Sequence, residues 1–557
     1  MAHALAPGEV VLVTRNVDGT HASGTALYAS ISAAGQCVTF GSSSPTLPGA
    51  TGERQIYVRD IDAGTTTLVS DNDAAGTGGG NGPSSFPVIT PDCRYVAFQS
   101  DATDLTSVAL ATTHVYRRDL QTGTTILISR ATGGAPGDKP SVVPSISDDG
   151  DRVSFAGTSG NFAADDEDSS LHEDVFVRKV AESQTLLASR NNAGSPQDDA
   201  GGPAGGAGFY TDISGDGKRV AFQSFADNMS SEDVAAGDVF VRDIDAGTTV
   251  LASRANGPAG AAADDTSGVP SLSADGSKVL FLTLADNLGA AGGQQVVLRD
   301  VTAGTTQVVS RASGTAGAVA NGLTGGDVAQ FLSSDGQRVA FWSQATNLDP
   351  AANTTGSRVY VRDLTTAQTE VQSRTQSGAP ASAGVEFGFA PDGSAIAFVS
   401  GDPIVPEDTD SISDVYARGV SFAASATPIP SPGAIPGPPA KASFSGSKTS
   451  IRVSRKRSFK FSFRATAGLK GTAVFQSVKK VRTSRKRKVE LVKKSFAVPA
   501  TGKVTLRLKL SKKVFRILKL NRKIRTRVTV SLTNAAELSS KASKQITLKA
   551  PKHKRRR

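Results

Sequence analysis

Three carboxylates lie within seven residues in Asp408-Thr409-Asp410-Ser411-Ile412-Ser413-Asp414. Hard cations gather several oxygens at about 2.3–2.6 Å, which closely spaced Asp side chains supply. Asp408, Asp410 and Asp414 are therefore candidate Ca2+ ligands. The segment lacks the glycine and closing Glu of an EF-hand loop, and a solvated acidic loop is the competing reading. A second acidic run, Asp165-Asp166-Glu167-Asp168, precedes Glu173 and Asp174. The histidines, His3, His21, His114, His172 and His553, form no HExxH motif and no metal-ligand spacing. No GxSxG elbow, Walker loop or convincing triad is present. The chain reads as non-catalytic, with no cofactor beyond that calcium. Its many carboxylates leave a polysaccharide hydrolase or lyase as an alternative, since paired acids are what glycoside cleavage uses.

Charge separates the chain into two parts. Residues 441–557 hold 37 Lys/Arg against 2 Asp/Glu, a net of +35. Residues 1–440 hold 24 against 49, a net of −25, so the whole carries +10. Such asymmetry points to two domains with different partners. The basic part should bind polyanions with an affinity that falls steeply as salt rises. Its candidate contacts are Arg455-Lys456-Arg457, Arg485-Lys486-Arg487-Lys488 and the tail ending in Arg555-Arg556-Arg557.

The elements that position these groups repeat. Asp-Gly followed by a short strand ending in Phe recurs, with strand ends at Phe40, Phe98, Phe155, Phe222, Phe281, Phe341 and Phe398. Their spacings are 58, 57, 67, 59, 60 and 57 residues. That period fits one four-stranded propeller blade with generous loops. In one unit the strands are Pro270–Ser273, a strand ending at Phe281, Val296–Asp300 and Thr306–Ser310, with tight turns at Asp275-Gly276 and Ala303-Gly304. The seventh unit has no fourth strand, whereas Val10–Arg15 reads like the fourth strand elsewhere. The N-terminal strand should complete the last blade and remove the exposed edges.

Units such as Ile213-Ser214-Gly215-Asp216-Gly217-Lys218-Arg219-Val220-Ala221-Phe222, followed by Asp238-Val239-Phe240-Val241-Arg242-Asp243, resemble TolB-type, WD-repeat-like propeller repeats. The resemblance covers roughly residues 8–422. It implies a fold and leaves the function open, since such propellers serve as binding platforms, periplasmic partners and accessory domains of enzymes.

Every unit carries an Arg in its third strand: Arg59, Arg118, Arg178, Arg242, Arg299, Arg362 and Arg418. Repetition in all units favours a structural role, stacking or pairing with carboxylates between blades. A ring of anion-binding arginines is the functional alternative. The loops between second and third strands, and those between units, are long. Both kinds fall on one face of such a blade, which predicts a single functional face. Cys37 lies in the second strand of the first unit, and Cys93 takes the turn position that glycine holds elsewhere. Cysteine is a poor choice where positive φ is wanted. A disulfide between adjacent blades, implying an oxidising compartment, stands beside two unrelated buried thiols.

Residues 423–440 are a Pro-rich, semi-rigid linker. In residues 441–550, Phe459, Phe461 and Phe463 alternate with Lys460, Ser462 and Arg464, and Val504, Leu506, Leu508 and Leu510 alternate with polar residues. Such alternation predicts half-buried strands with a cationic outer face. The pattern resembles, loosely, bacterial Ig-like surface modules, implying a small basic β-sandwich. Ser511 to Leu520 reads alternatively as helix.

The predicted architecture is all-β: an unstructured stretch at 1–7, a seven-bladed β-propeller closed by an N-terminal strand at 8–422, the linker, a small β-sandwich and a basic tail at 551–557. Ala2-His3-Ala4 and Ala4-Leu5-Ala6 are similar to the end of a secretory signal. No stretch of the sequence is long and apolar enough to span a membrane. The expected function is that of an exported binding or scaffold protein of the cell envelope or cell surface. Its propeller loops would meet a protein or glycan, and its basic domain anionic envelope polymers or lipid headgroups. The alternative is a cytoplasmic scaffold associated with nucleic acid. Against single-strand recognition, the basic domain has no Tyr or Trp on which bases could stack.

Overall fold

The repeated units, five of them with an Asp-Gly hairpin, fold into the same four-stranded sheet. The computed structural model describes residues 5–72, 78–108, 110–162, 173–196, 210–226, 228–232, 237–257, 259–290, 293–325, 331–422, 442–443, 450–454, 456–465, 470–478, 490–498, 503–533 and 539–551. The chain divides into two units, Met1–Ala424 and Ser425–Arg557.

Among the described residues the first unit holds seven antiparallel sheets of four strands each. The fifth sheet is typical: Ser267–Leu272, Lys278–Thr283, Gln295–Asp300 and Thr305–Val308, paired in chain order. Its first, third and fourth strands begin one to three residues before the positions read from sequence, and its second runs past Phe281 to Thr283. In its hairpin, Gly276 takes φ +62°, and Asp275 Oδ1 accepts from Ser273 Oγ at 2.8 Å and from the Ser277 N–H at 2.9 Å. This is the local bonding that makes Asp a turn residue.

The seventh sheet is assembled differently. Phe387–Phe389, Ala395–Ser400 and Asp414–Gly419 come from one end of the unit, and Val10–Leu12 from the other. Val10, Val11 and Leu12 pair antiparallel with Arg418, Ala417 and Tyr416. The first strand of each sheet touches the first strand of the next, and that of the seventh touches that of the first. The chain also begins its packing earlier than expected. Leu5 is buried and its N–H donates to the Ala34 carbonyl, while Pro7 bridges to Gly419. Residues 5–7 are therefore part of the fold.

Within the sheets, second-strand Phe stacks on a third-strand aromatic. Phe40–Tyr57, Phe98–Tyr116, Phe155–Phe176, Phe222–Phe240, Phe341–Tyr360 and Phe398–Tyr416 have centroids 5.7 to 6.0 Å apart. All twelve residues are fully buried, and cross-strand aromatic pairs of this kind add to the area they remove from water.

The third-strand arginines bind hydroxyls and carbonyls more than carboxylates or rings. Arg242 Nη1 donates to Thr249 Oγ1 at 2.9 Å and to the Arg190 carbonyl of the preceding sheet at 3.2 Å. Arg59, Arg178, Arg299 and Arg362 repeat the bond to Thr66, Thr185, Thr306 and Thr369. Arg118 bonds Thr125 and also meets Asp71 at 3.1 Å. In the seventh sheet, Arg418 donates to the Gly8 carbonyl at 2.9 Å. Arg118, Arg178, Arg242, Arg299 and Arg362 also reach the segment that follows the fourth strand of the sheet before, and so tie neighbouring sheets together.

Among the described residues the second unit holds two sheets. Ala442–Ser443, Ser458–Ala465 and Lys503–Lys509 form one; Ser450–Arg452, Ser539–Lys549, Lys523–Thr533, Lys470–Ser477 and Glu490–Ala497 form the other, in that order. Phe459 and Phe461 of the first meet Phe475 of the second edge-on at 5.7 and 5.3 Å, so the core lies between them. Between strands runs a helix, Lys512–Asn521, capped by Ser511 Oγ, which accepts from the Val514 N–H.

Removing residues 1–13 deletes the strand Val10–Leu12 and bares the edge of Asp414–Gly419, a template for pairing with other chains. The truncated chain is expected to self-associate in size-exclusion chromatography with light scattering and to melt several degrees lower. A monomer with unchanged melting would contradict this role for the strand.

Candidate functional site

Asp408, Asp410 and Asp414 converge where the N-terminal segment joins the seventh sheet, and His21 joins them. One ligand atom from each of the four lies within 4.8 Å of the others. His21 Nε2 is 2.9 Å from Asp414 Oδ2, and Nδ1 is 4.0 Å from Asp410 Oδ2. Sequence reasoning missed His21. The signal was there: if Val10–Leu12 closes the seventh sheet, residues just beyond it must land beside those that precede that sheet's third strand.

Each carboxylate already serves protein donors. Asp414 Oδ1 accepts from Thr14 Oγ1 at 2.5 Å. Asp408 accepts from the Tyr416 hydroxyl and from the Asp410 N–H. Asp410 Oδ1 accepts from the Ile412 N–H at 2.8 Å. The Thr14–Asp414 bond also belongs to the repeat. At the same place in other sheets, Ser70 donates to Gln55 and Ser310 to Gln295, both at 2.6 Å, and Ser253 donates to Asp238. Neutral Gln performs the task elsewhere, so a carboxylate there need not signal a metal. The imidazole is likewise foreign to the all-oxygen shell calcium takes. The group reads as a latch that ties Thr14 and His21 to the seventh sheet.

Burial pushes the Asp414 carboxyl up to about 6, against the hydrogen bond from Thr14 and the pairing with His21, which lower it. A fully buried carboxylate is costly unless paired. Thr14 and His21 provide that pairing only while the N-terminal segment is in place.

Cys37 and Cys93 form a disulfide with Cα atoms 5.8 Å apart. Cys93 sits at φ +64°, the conformation that Gly150, Gly217, Gly276, Gly336 and Gly393 adopt in corresponding turns. The covalent link joins the first sheet to the turn of the second and holds the residue there.

The second unit separates apolar and cationic faces residue by residue. Phe459, Phe461, Leu506 and Leu508 are buried, while Lys460, Arg507 and Lys509 are exposed. Lys460 lies directly opposite Arg507, and Lys523 opposite Lys549. Like charges in such register repel. Further exposed cations, Arg516, Lys519, Arg525 and Arg527, extend the surface. Of the basic clusters singled out from sequence, Lys456 is exposed and Arg457 half-buried. Arg455, Arg485, Lys486, Arg487, Lys488, Arg555, Arg556 and Arg557 lie outside the described residues, as do Asp165, Asp166, Glu167, Asp168 and the linker at 423–440. No helix among the described residues is long and apolar enough to cross a membrane.

No protein-family model matches the chain, and no curated protein matches it. Among solved structures, it is similar to a prolyl endopeptidase at 11% identity and TM-score 0.41, covering 80% of this chain and 54% of that one. It is also similar to the β-propeller domain of the Trilobed protease from Pyrococcus furiosus, at 10% identity and TM-score 0.38, covering 68% of this chain and 90% of that one. For RRP9 WD40 repeats the identity is 9% and the TM-score 0.39, with 75% and 99% covered. The chain spans about half the length of the prolyl endopeptidase chain. Likenesses at this level carry no argument about activity.

Because Asp414 holds its proton more tightly in the folded chain than in the unfolded one, its contribution to stability falls as pH rises through the window from about 4 to about 6. Asp414→Asn does not titrate. Between pH 4.5 and 7 the stability difference between variant and wild type, from urea midpoints, is expected to move in the variant's favour. The change should be on the order of 2 kcal/mol, since a tenfold difference in proton affinity is worth about 1.4 kcal/mol. A difference that stays constant with pH would contradict the assignment.

Proposed function

We propose that this chain is an exported, non-catalytic binding protein of the cell envelope. Its first unit is a seven-bladed, TolB-like β-propeller that offers a loop face to a protein or glycan. Its second is an Ig-like basic β-sandwich that holds the molecule on an anionic envelope polymer. The observation that carries this reading is the second unit's charge: cations oppose cations across its strands, and the sequence of residues 441–557 holds only two acidic residues. A polyanion relieves that repulsion and releases its own counterions on binding. The closed circuit of first strands and the seventh sheet's N-terminal strand support the propeller. The Cys37–Cys93 bond supports an oxidising compartment, where disulfides persist. The Asp408–Asp410–Asp414 group, engaged as a latch, supports a structural use of the most conspicuous carboxylates.

Binding of the full chain to lipoteichoic acid and to duplex DNA across a salt series tests the reading. Affinity for the envelope polymer is expected to fall on the order of a hundredfold between 50 and 200 mM salt if about four charges are neutralised. Replacing Lys460, Arg507 and Lys509 by Gln should flatten that dependence. A salt-independent affinity, or one indifferent to the triple replacement, would sink the proposal. Binding confined to DNA would favour a nucleic-acid scaffold instead.

A further inference from the structure

The first strands of the sheets surround a cavity of about 180 Å³. At roughly 30 Å³ each it has room for about six waters, or for one small aromatic molecule. Its wall is chemically one-sided. Tyr28, Phe86, Tyr210 and Phe331 contribute aromatic rings, Glu386 and Asp212 contribute carboxylates, and no Lys, Arg or His lines it among the described residues.

The two carboxylates differ. Both oxygens of Asp212 are taken by neighbouring strands: Ser145 Oγ donates to one at 2.6 Å and the Leu272 N–H to the other at 2.7 Å. Glu386 uses only Oε2, which accepts from the Tyr28 N–H at 2.8 Å. Its Oε1 has no hydrogen bond among the described residues. The Tyr28 N–H does not need a charged acceptor. The corresponding N–H of Val143, in the third sheet, is served by the neutral amide of Gln99 at 2.8 Å. Glu386 therefore brings to an apolar cavity a negative charge that the fold does not require. Burial opposes that charge and raises the carboxyl's pKa, partly offset by the Tyr28 N–H and by Arg54. Arg54 lies over the Tyr28 ring at 5.1 Å, is tied to the Ser84 carbonyl, and is not part of the wall.

The backbone is strained at the same place. Tyr28, Phe86, Val143 and Val269 all take φ between 50° and 58°, at irregularities in the pairing of their strands. Aromatic and β-branched residues are outliers in that region. Bulges re-aim side chains, and strain of this kind gathers at ligand clamps. Three of these four residues line the cavity.

We propose that the cavity binds a small organic cation, an aromatic or alkyl ammonium ion whose charge meets Glu386 Oε1 while its apolar body lies against Tyr28, Phe86 and Tyr210. Negative ring faces and a half-buried carboxylate both select for positive charge. This site goes beyond envelope attachment and stands independently of it.

Calorimetric titration of the full chain with benzylamine, benzyl alcohol and benzoate at pH 7.5 tests the proposal. Benzylamine should bind one to one, at least tenfold more tightly than the alcohol, with no binding of benzoate. Glu386→Gln keeps an oxygen for the Tyr28 N–H, so it should weaken benzylamine at least tenfold and leave benzyl alcohol binding and the melting temperature unchanged. Phe86→Leu, which keeps an apolar wall, should weaken benzylamine several-fold. Equal binding of amine and alcohol, binding of benzoate, indifference to Glu386→Gln, or no binding of benzylamine would each overturn it.

Discussion

A circuit of sheets loses its free edges only where its first and last strands meet, and the first unit depends on that one junction. Val10–Leu12 supplies the seventh sheet's missing strand. Thr14 then performs for Asp414 what Ser70 and Ser310 perform for Gln55 and Gln295 within continuous sheets. The junction thus reproduces the bonds of an ordinary sheet with residues about 400 positions apart. Contacts so distant in sequence carry a large loop-closure cost, offset here by ladder bonds, burial of Leu12 and Val13, and the His21–Asp414 pair.

With the junction made, the other repeats fall into place. Aromatic pairs fill six of the seven sheets, and arginines tie five of them to the sheet before. The Cys37–Cys93 bond reinforces one boundary covalently, at a turn whose residue carries φ +64° in place of glycine. The first strands of the sheets then converge closely enough to line a cavity.

Much of this was legible in the residues. Asp-Gly turns, the Val-x-Phe strand ends and the missing fourth strand of the last unit announce repeated sheets and their closure, because turn chemistry and alternation are local signals. The same alternation in residues 458–464 and 503–510 marks the buried Phe and Leu rows of the second unit. His21 and Glu386 were not legible. Each acquires meaning from a partner far away in sequence, His21 beside Asp414 and Glu386 beside Tyr28. The arginines were legible as structural, but not their partners. Nothing in an Arg-to-Thr spacing of seven residues says that the two side chains face each other until the strand register is known. The acidic triplet was legible as a cluster, and the structure brings its three carboxylates together with His21, but the protein donors that each of them serves were not legible.

An acidic first unit, closed on itself, is joined in one chain to a second whose charged residues are almost all cationic. On the proposed reading the molecule works outside the cytoplasm, held on an anionic surface. Fractionating the native cells most directly tests that location, with a rising salt wash of the envelope fraction and thiol labelling of the released protein before and after reduction. The expected result is envelope association reversed by salt, with Cys37 and Cys93 labelled only after reduction. Recovery in the cytosol with both thiols reactive and nucleic acid bound would contradict it.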